Sequence, residues 1–481
     1  MNKTKENKRM MSKKLLVSVI AVLTLLVCCA GCGKKTPREA LDEAFEKTFT
    51  DTDPAEKLLG LEELNKAIVD KTPYSSGATL TLEEISGAGL EDYADLLAGI
   101  GLSVDVAENI PEKQTETSIG ISYGGTTYLT LGTQFSGSKF YMMIPQLLNG
   151  SISLDFATLA EDIASNELYS QSLTEEDMAI FESLDFDFWE IIEEMNTIDF
   201  TLPENITEAS EELDAAIVVE EVKVADADLP TDISAKKAYL MTVPKDAYAD
   251  YTKEVMQYVV DEIIKALSDE SMQDYVTDID MPDKEEINTF VDDLADTLGD
   301  IELTVAVTKA GYVSYIATEF DIEGSTAEFN MTFDGEKSPL EEVAMEISAT
   351  VEDETVSLEF AQTFDAETKT AAYDIALSAM DFTATIEAEG EYTDIEKGKK
   401  YAYDLNYLEF DCSEDFSFTL SGSSYLDTTS CDIDTPAGTE YELFKVTEDE
   451  LMALVEEVMT NMQNDPLFSE IFGLLGVEFP Q

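Results

Sequence analysis

The chain has no histidine, a single tryptophan and only two arginines, Arg9 and Arg38, in 481 residues. Without histidine there is no Ser-His-Asp or Cys-His arrangement, and no common general base near neutral pH. Basic residues are scarce as well: Lys and Arg number 29 against 102 Asp and Glu, a formal net charge of −73. That balance excludes nucleic acid, whose binding rests on Lys and Arg contacts to phosphate. The shortage of arginine excludes bidentate phosphate recognition. Three of the five cysteines, Cys28, Cys29 and Cys32, fall within five positions. A zinc or redox reading of them lacks partners, because the rest of the chain has no histidine and no CxxC pair. Two carboxylates can hydrolyse glycosides, but among so many acids a pair identifies no site. Asp185 and Asp187 flank Phe186 just before Trp189; this suits a sugar subsite, or more simply a helix edge packing its aromatics inward. The chain reads as a binding protein, not an enzyme.

What is present first is an address. Residues 1–14 carry six bases (Lys3, Lys5, Lys8, Arg9, Lys13, Lys14) and one acid, Glu6, and the uncharged run LLVSVIAVLTLLVCCA follows. A basic start, a short apolar core and then small residues make a secretory signal. The run is also shorter than the roughly 20 residues of a membrane span. Cys29-Ala30-Gly31-Cys32 resembles the lipobox of bacterial lipoproteins of the Gram-positive type, with Cys29 where leucine is usual. The resemblance implies removal of residues 1–31 and a diacylglyceryl group, carrying palmitate-like chains, on Cys32. It also implies secretion by the general route and retention at the outer face of the cytoplasmic membrane. An ordinary cleaved signal peptide is the alternative. Two acyl chains suffice for stable anchoring, where one is marginal. Cleavage takes away six bases and one acid, leaving 450 residues with 23 bases and 101 acids, a net charge of −78.

Along the remainder, helix and strand signals come in blocks. Thr36-Pro37-Arg38-Glu39 is a capping box with proline at the first helical position. Leu41, Phe45, Thr48 and Phe49 then fall on one side, and Asp53-Pro54-Ala55-Glu56 starts a second helix through about residue 70. Only Gly33 to Thr36 separate Cys32 from the first of these, so the tether is short. From 76 to 144 the period is two, and Gly124-Gly125 between alternating runs signals a hairpin. Residues 152–213 read as helical, and AAIVVEEVKV and KKAYLMTVP as strands. Tyr251, Val255, Tyr258, Val259, Ile263 and Leu267 make one amphipathic helix, and Ile287, Phe290, Val291, Leu294 and Leu298 another. From 301 to 410, alternating runs with short polar breaks make a long antiparallel meander with one apolar face. Thr447 and Glu450 open a last helix, and the apolar tail PLFSEIFGLLGVEF follows.

Runs of strands beside runs of helices mean α+β, not the alternation of a doubly wound sheet. The expected architecture is a long meander, a curved sheet or half-barrel, with amphipathic helices on its concave face. The expected division is residues 32–240 and 241–481, or one continuous sheet across both. Cys412 and Cys431 close a loop of about 20 residues and are candidates for a disulfide, which an extracytoplasmic setting permits. The acidic surface reads as a solvated face. Weak calcium candidates are Asp278, Asp280 and Asp283, and Asp427, Asp432 and Asp434; none has EF-hand spacing, and no cofactor is otherwise expected.

Helices laid on a long antiparallel sheet resemble the LolA and LppX group of lipoprotein and lipid carriers. The stretch SKFYMMIP before a helical segment is similar to that group's local phrasing, and VTKAGYVSYIATEFDIEG resembles its paired strands with a turn between. The resemblance implies an acyl chain or other apolar ligand held between sheet and helices, near the membrane that the short tether reaches. The competing expectation is an envelope scaffold or partner-binding module with a filled core, with Phe468, Ile471, Phe472 and Leu475 of the tail as its contact patch. A solute-binding protein of an importer comes third, disfavoured by the strand order.

Overall fold

The structure is a computed structural model. It describes residues 36–50, 53–87, 89–90, 93–166, 168, 188–190, 192, 203–267, 282–322, 325–335, 338–351, 354–380, 382–413 and 416–464. The helices are α1 (Pro37–Phe49), α2 (Pro54–Leu59), α3 (Leu61–Val69), α4 (Ala94–Leu97), α5 (Leu159–Ser165), α6 (Glu204–Ala216), α7 (Lys245–Leu267), α8 (Lys284–Leu298) and α9 (Glu448–Asn464). The first strands are β1 (Tyr74–Gly87), β2 (Ile100–Asn109), β3 (Gln114–Tyr123), β4 (Thr126–Ser136), β5 (Lys139–Met143) and β6 (Gly150–Asp155). The middle ones are β7 (Val218–Val222), β8 (Lys237–Val243), β9 (Ile301–Val307), β10 (Val313–Ile322), β11 (Ser325–Phe333) and β12 (Glu342–Val351). The last are β13 (Glu354–Asp365), β14 (Thr370–Ala379), β15 (Phe382–Glu396), β16 (Lys400–Cys412), β17 (Phe416–Asp427) and β18 (Thr439–Glu442). Among the described residues, these eighteen strands belong to one sheet that does not close on itself. The fold is α+β, an antiparallel meander with helices.

The chain divides into two compact units that interleave along the sequence. Unit 1 holds residues up to 57, then 200–367 and 371–387; unit 2 holds 58–199, 368–370 and 388–481. This differs from consecutive halves at 32–240 and 241–481. The reason is β1, which pairs with β2 on one side and with β17, from the far end of the chain, on the other.

Unit 1 contains the meander β7 to β13, each strand antiparallel to the next, together with most of β14 and the start of β15. The alternation read from sequence puts Val305, Ile316, Phe329 and Ile347 on one face, and all four are buried. Against that face lie the apolar stripes of α1, α6, α7 and α8: Leu41 and Phe45, Ile206 and Leu213, Tyr248 and Tyr251, Ile287 and Val291. All belong to one continuous cluster. Here the expected sheet-and-helix sandwich is a packed core. Polar ties fix α1 on it. Its capping box forms through Thr36 and Glu39, and Arg38 pairs with Asp214 and donates to the Ile217 carbonyl at 3.1 Å. Thr48, fully buried, donates to the Ala44 carbonyl at 2.6 Å and accepts from the Val313 amide at 2.8 Å. Thr48→Val removes that acceptor and strands the buried Val313 N–H. We expect a loss of about 1–3 kcal/mol, read as a lower denaturant midpoint; an unchanged midpoint contradicts this role.

Unit 2 places its strands side by side in the order β6, β5, β4, β3, β2, β1, β17, β16. Short β18 runs parallel to β6. The helix expected from Asp53 is broken in two at Gly60, which has φ 67° and lies where a Cβ would meet the Gly398 nitrogen at 2.7 Å. Only glycine fits that turn. The long helical reading of 152–213 gives way at its start to β6 and the short α5.

Candidate functional site: an uncharged sheet face in unit 2

Side chains alternate across a strand, so the registers of unit 2 assign every residue to one of two faces. Leu405, Gly422, Leu80, Leu102, Ile121 and Leu129 lie in one row across β16, β17, β1, β2, β3 and β4. The next row on the same face is Tyr403, Ser424, Ala78, Val104, Ile119 and Leu131. Beyond bulges in β1 and β16, Leu82, Leu408 and Leu420, then Ile85, Phe410 and Phe418, continue it. Phe410 stacks on Phe418 at 5.2 Å. In a chain that is 27% charged, this face is uncharged across these rows; Glu108, at the rim, is held by the Tyr74 hydroxyl at 2.7 Å.

The opposite face is built from small polar residues: Thr79 and Thr81, Ser103, Ser118 and Ser122, Ser421 and Ser423. Thr79 and Ser423 share a hydrogen bond of 3.0 Å. Tyr425 reaches from β17 over β1 to Asp105 on β2, its hydroxyl 3.2 Å from Oδ1. Gly77 makes room for this: a Cβ there would lie 2.6 Å from the Tyr425 ring and 2.4 Å from Asp105.

Coverage of the apolar face changes along the sheet. At the β4–β6 end, Phe188 stacks on Phe135 at 3.7 Å, and Phe135 meets Phe140 at 4.9 Å. Trp189 is buried there, its indole N–H on the Gly137 carbonyl at 2.7 Å. α9 is tied to the β5–β6 connection, where Asn461 donates to the Leu147 carbonyl and Glu457 accepts from the Asn149 amide, both at 2.9 Å. Over β1 to β4, among the described residues, the face is about half exposed. Leu80, Leu102, Ile119, Ile121 and Leu131 are adjacent in register, and their exposures run from 39% at Leu131 to 50% at Leu102. A contiguous exposed apolar patch on a folded protein marks a place where something binds. The grooves of unit 1 differ in kind. One of about 310 Å³ is lined by Asp228, Glu302, Glu319 and Glu328, and one of about 350 Å³ by Glu208, Glu212, Lys253 and Glu254.

The residues singled out from sequence fall elsewhere. Cys29, Ala30, Gly31 and Cys32 lie outside the described residues, as do Asp185, Phe186, Asp187, Asp278, Asp280 and the apolar tail. Asp283 is the N-cap of α8, where its Oδ1 accepts from the Glu286 amide at 2.8 Å in a capping box. The Asp427 carboxylate accepts from the Thr429 amide at 2.7 Å and its hydroxyl at 2.6 Å. Burial works against its charge, but those bonds and Lys400 outweigh burial and hold its carboxyl below the ordinary value. Among the described residues, no group of three or more Cys, Asp or Glu is placed to hold a metal ion, and no helix is long and apolar enough to cross a membrane. Trp189 packs inward, in line with the simpler reading of its segment.

The expected disulfide is not formed; Cys412 and Cys431 are both free. Cys412 pairs with Phe416 at the start of β17, whereas the Cys431 thiol is 3.3 Å from the Glu108 carbonyl, beside the start of β1. β17 is 12 residues long, so roughly 40 Å of strand lies between the two positions, while a bridge needs Cα atoms within about 7 Å. Burial also pushes the Cys431 thiol up, which slows its reaction. We expect residues 33–481, unfolded without reductant, to take up two maleimide labels. Uptake of none before reduction would contradict this.

No protein-family model matches the chain. No curated protein matches it either. Among solved structures, a five-substitution mutant of the Rh. blastica porin shares 12% identity over 74% of this chain and 98% of that one. Its TM-score of 0.11 is too slight a likeness to support any inference.

Proposed function

We propose that this is a non-enzymatic lipoprotein, anchored through Cys32 at the outer face of the cytoplasmic membrane, that holds an apolar, lipid-like ligand on the open face of unit 2. The observation that carries the reading is the uncharged apolar surface over β1 to β4, half exposed in an otherwise very acidic chain. Its dimensions suit an acyl chain. Its four strands side by side span roughly 14 Å, close to the ~15 Å thickness of one leaflet's hydrocarbon. Unit 1 does not share the role, because the space between its sheet and helices is filled by side chains. The ligand expected between sheet and helices is thus assigned to the sheet of unit 2 alone. The lipobox supports the membrane setting, and two acyl chains on Cys32 would keep the protein beside a lipid source.

The test is a titration of residues 33–481 with a fluorescent fatty acid, with lipid analysis of the protein as it leaves its host. Saturable binding, competed by unlabelled fatty acid, is expected. No binding and no co-purified lipid would sink the carrier reading and turn attention to a protein partner on the same face.

A further inference from the structure

On the polar face of unit 2, Gln134 of β4 is 1% exposed. Its Nε2 donates to the Asp434 carbonyl at 3.1 Å. A carbonyl only accepts, so the amide cannot be turned the other way. Its Oε1 is left buried with no donor, a state native proteins seldom leave unexplained. Directly opposite Gln134, on β3, stands Glu116, close enough for the two side chains to touch. Burial and then the charge of Asp434 push the Glu116 carboxyl up. Lys139, on neighbouring β5, is taken by Glu440 and Glu442 at 2.9 and 3.8 Å. A buried amide oxygen with no donor thus stands opposite Glu116, on the face where the Asp434 backbone meets β4.

We propose that a calcium ion binds here, held by Gln134 Oε1 and the carboxylates of Glu116 and Asp434. All three are hard oxygen donors, the set that calcium prefers. Asp434 is exposed, so water completes the roughly six to eight oxygens calcium takes. The ion would join β3 and β4 to the 428–438 segment and cancel the repulsion between its acids. The site is distinct from the apolar face and independent of the carrier reading.

Hydrogen exchange on residues 33–481, with and without calcium and with magnesium as control, tests it. At calcium ten times the dissociation constant, amides of 432–438 are expected to exchange about tenfold more slowly. Glu116→Gln, which keeps the shape and removes the charge, should abolish that slowing, and Asp432→Asn, a neighbouring acid outside the set, should keep it. No slowing, equal slowing in Glu116→Gln, or slowing spread evenly over the chain as from a diffuse counter-ion cloud would each overturn the site.

Discussion

Leu102→Glu combined with Ile121→Glu is expected to weaken fatty-acid binding by about 100-fold or more. The two residues are opposite one another on β2 and β3 at the centre of the open face. Covering a leucine or isoleucine side chain contributes about 1.5–3 kcal/mol, and each 1.4 kcal/mol is a factor of ten. Partial loss at two positions accounts for a hundredfold, and two carboxylates facing an acyl chain add a desolvation cost. The fold should survive, because Leu102 is 50% and Ile121 43% exposed. Affinity comes from titration and folding from circular dichroism. Unchanged affinity in a folded double variant would move the ligand away from this face.

The second large effect separates the two units. Leu41→Ala, at a fully buried position of α1 in the core of unit 1, is expected to cost about 2–5 kcal/mol. Leu80→Ala, on the open face of unit 2, is expected to cost under about 1 kcal/mol without ligand, since water already covers much of the side chain. Added fatty acid should raise the melting temperature of the native chain, and less so that of Leu80→Ala, by mass action. Equal losses for the two substitutions without ligand would mean that Leu80 is packed, and the open face would not exist.

Much of the fold was legible because local signals have local causes. The capping boxes at Thr36 and at Thr447 with Glu450 were readable from residue type and spacing, and both form. Gly124 and Gly125 announced a hairpin and both adopt positive φ. The alternation from Ile301 onward gave the meander. What was not legible is who sits beside whom. Period two identifies β1 as a strand but cannot say that its neighbour is β17, some 340 residues later. For the same reason Cys412 and Cys431 looked close in sequence while lying at opposite ends of a strand. The candidate site was hidden in the same way. Leu80, Leu102, Ile119 and Leu131 alternate just as Val305 and Ile316 do, and alternation declares a face apolar without saying what covers it. Gln134, one polar residue on an apparently ordinary strand, gave no sequence signal; its orphaned oxygen appears only once Asp434 is brought against it.

The central claim is that unit 2 holds an apolar ligand, and native mass spectrometry of residues 33–481, purified gently from a bacterial host, tests it most directly. The account predicts an apolar adduct that leaves on mild activation, returns on adding fatty acid, and is missing from the Leu102→Glu, Ile121→Glu variant. A clean unliganded mass with no shift on adding lipid, or an adduct equally present in that variant, would contradict it.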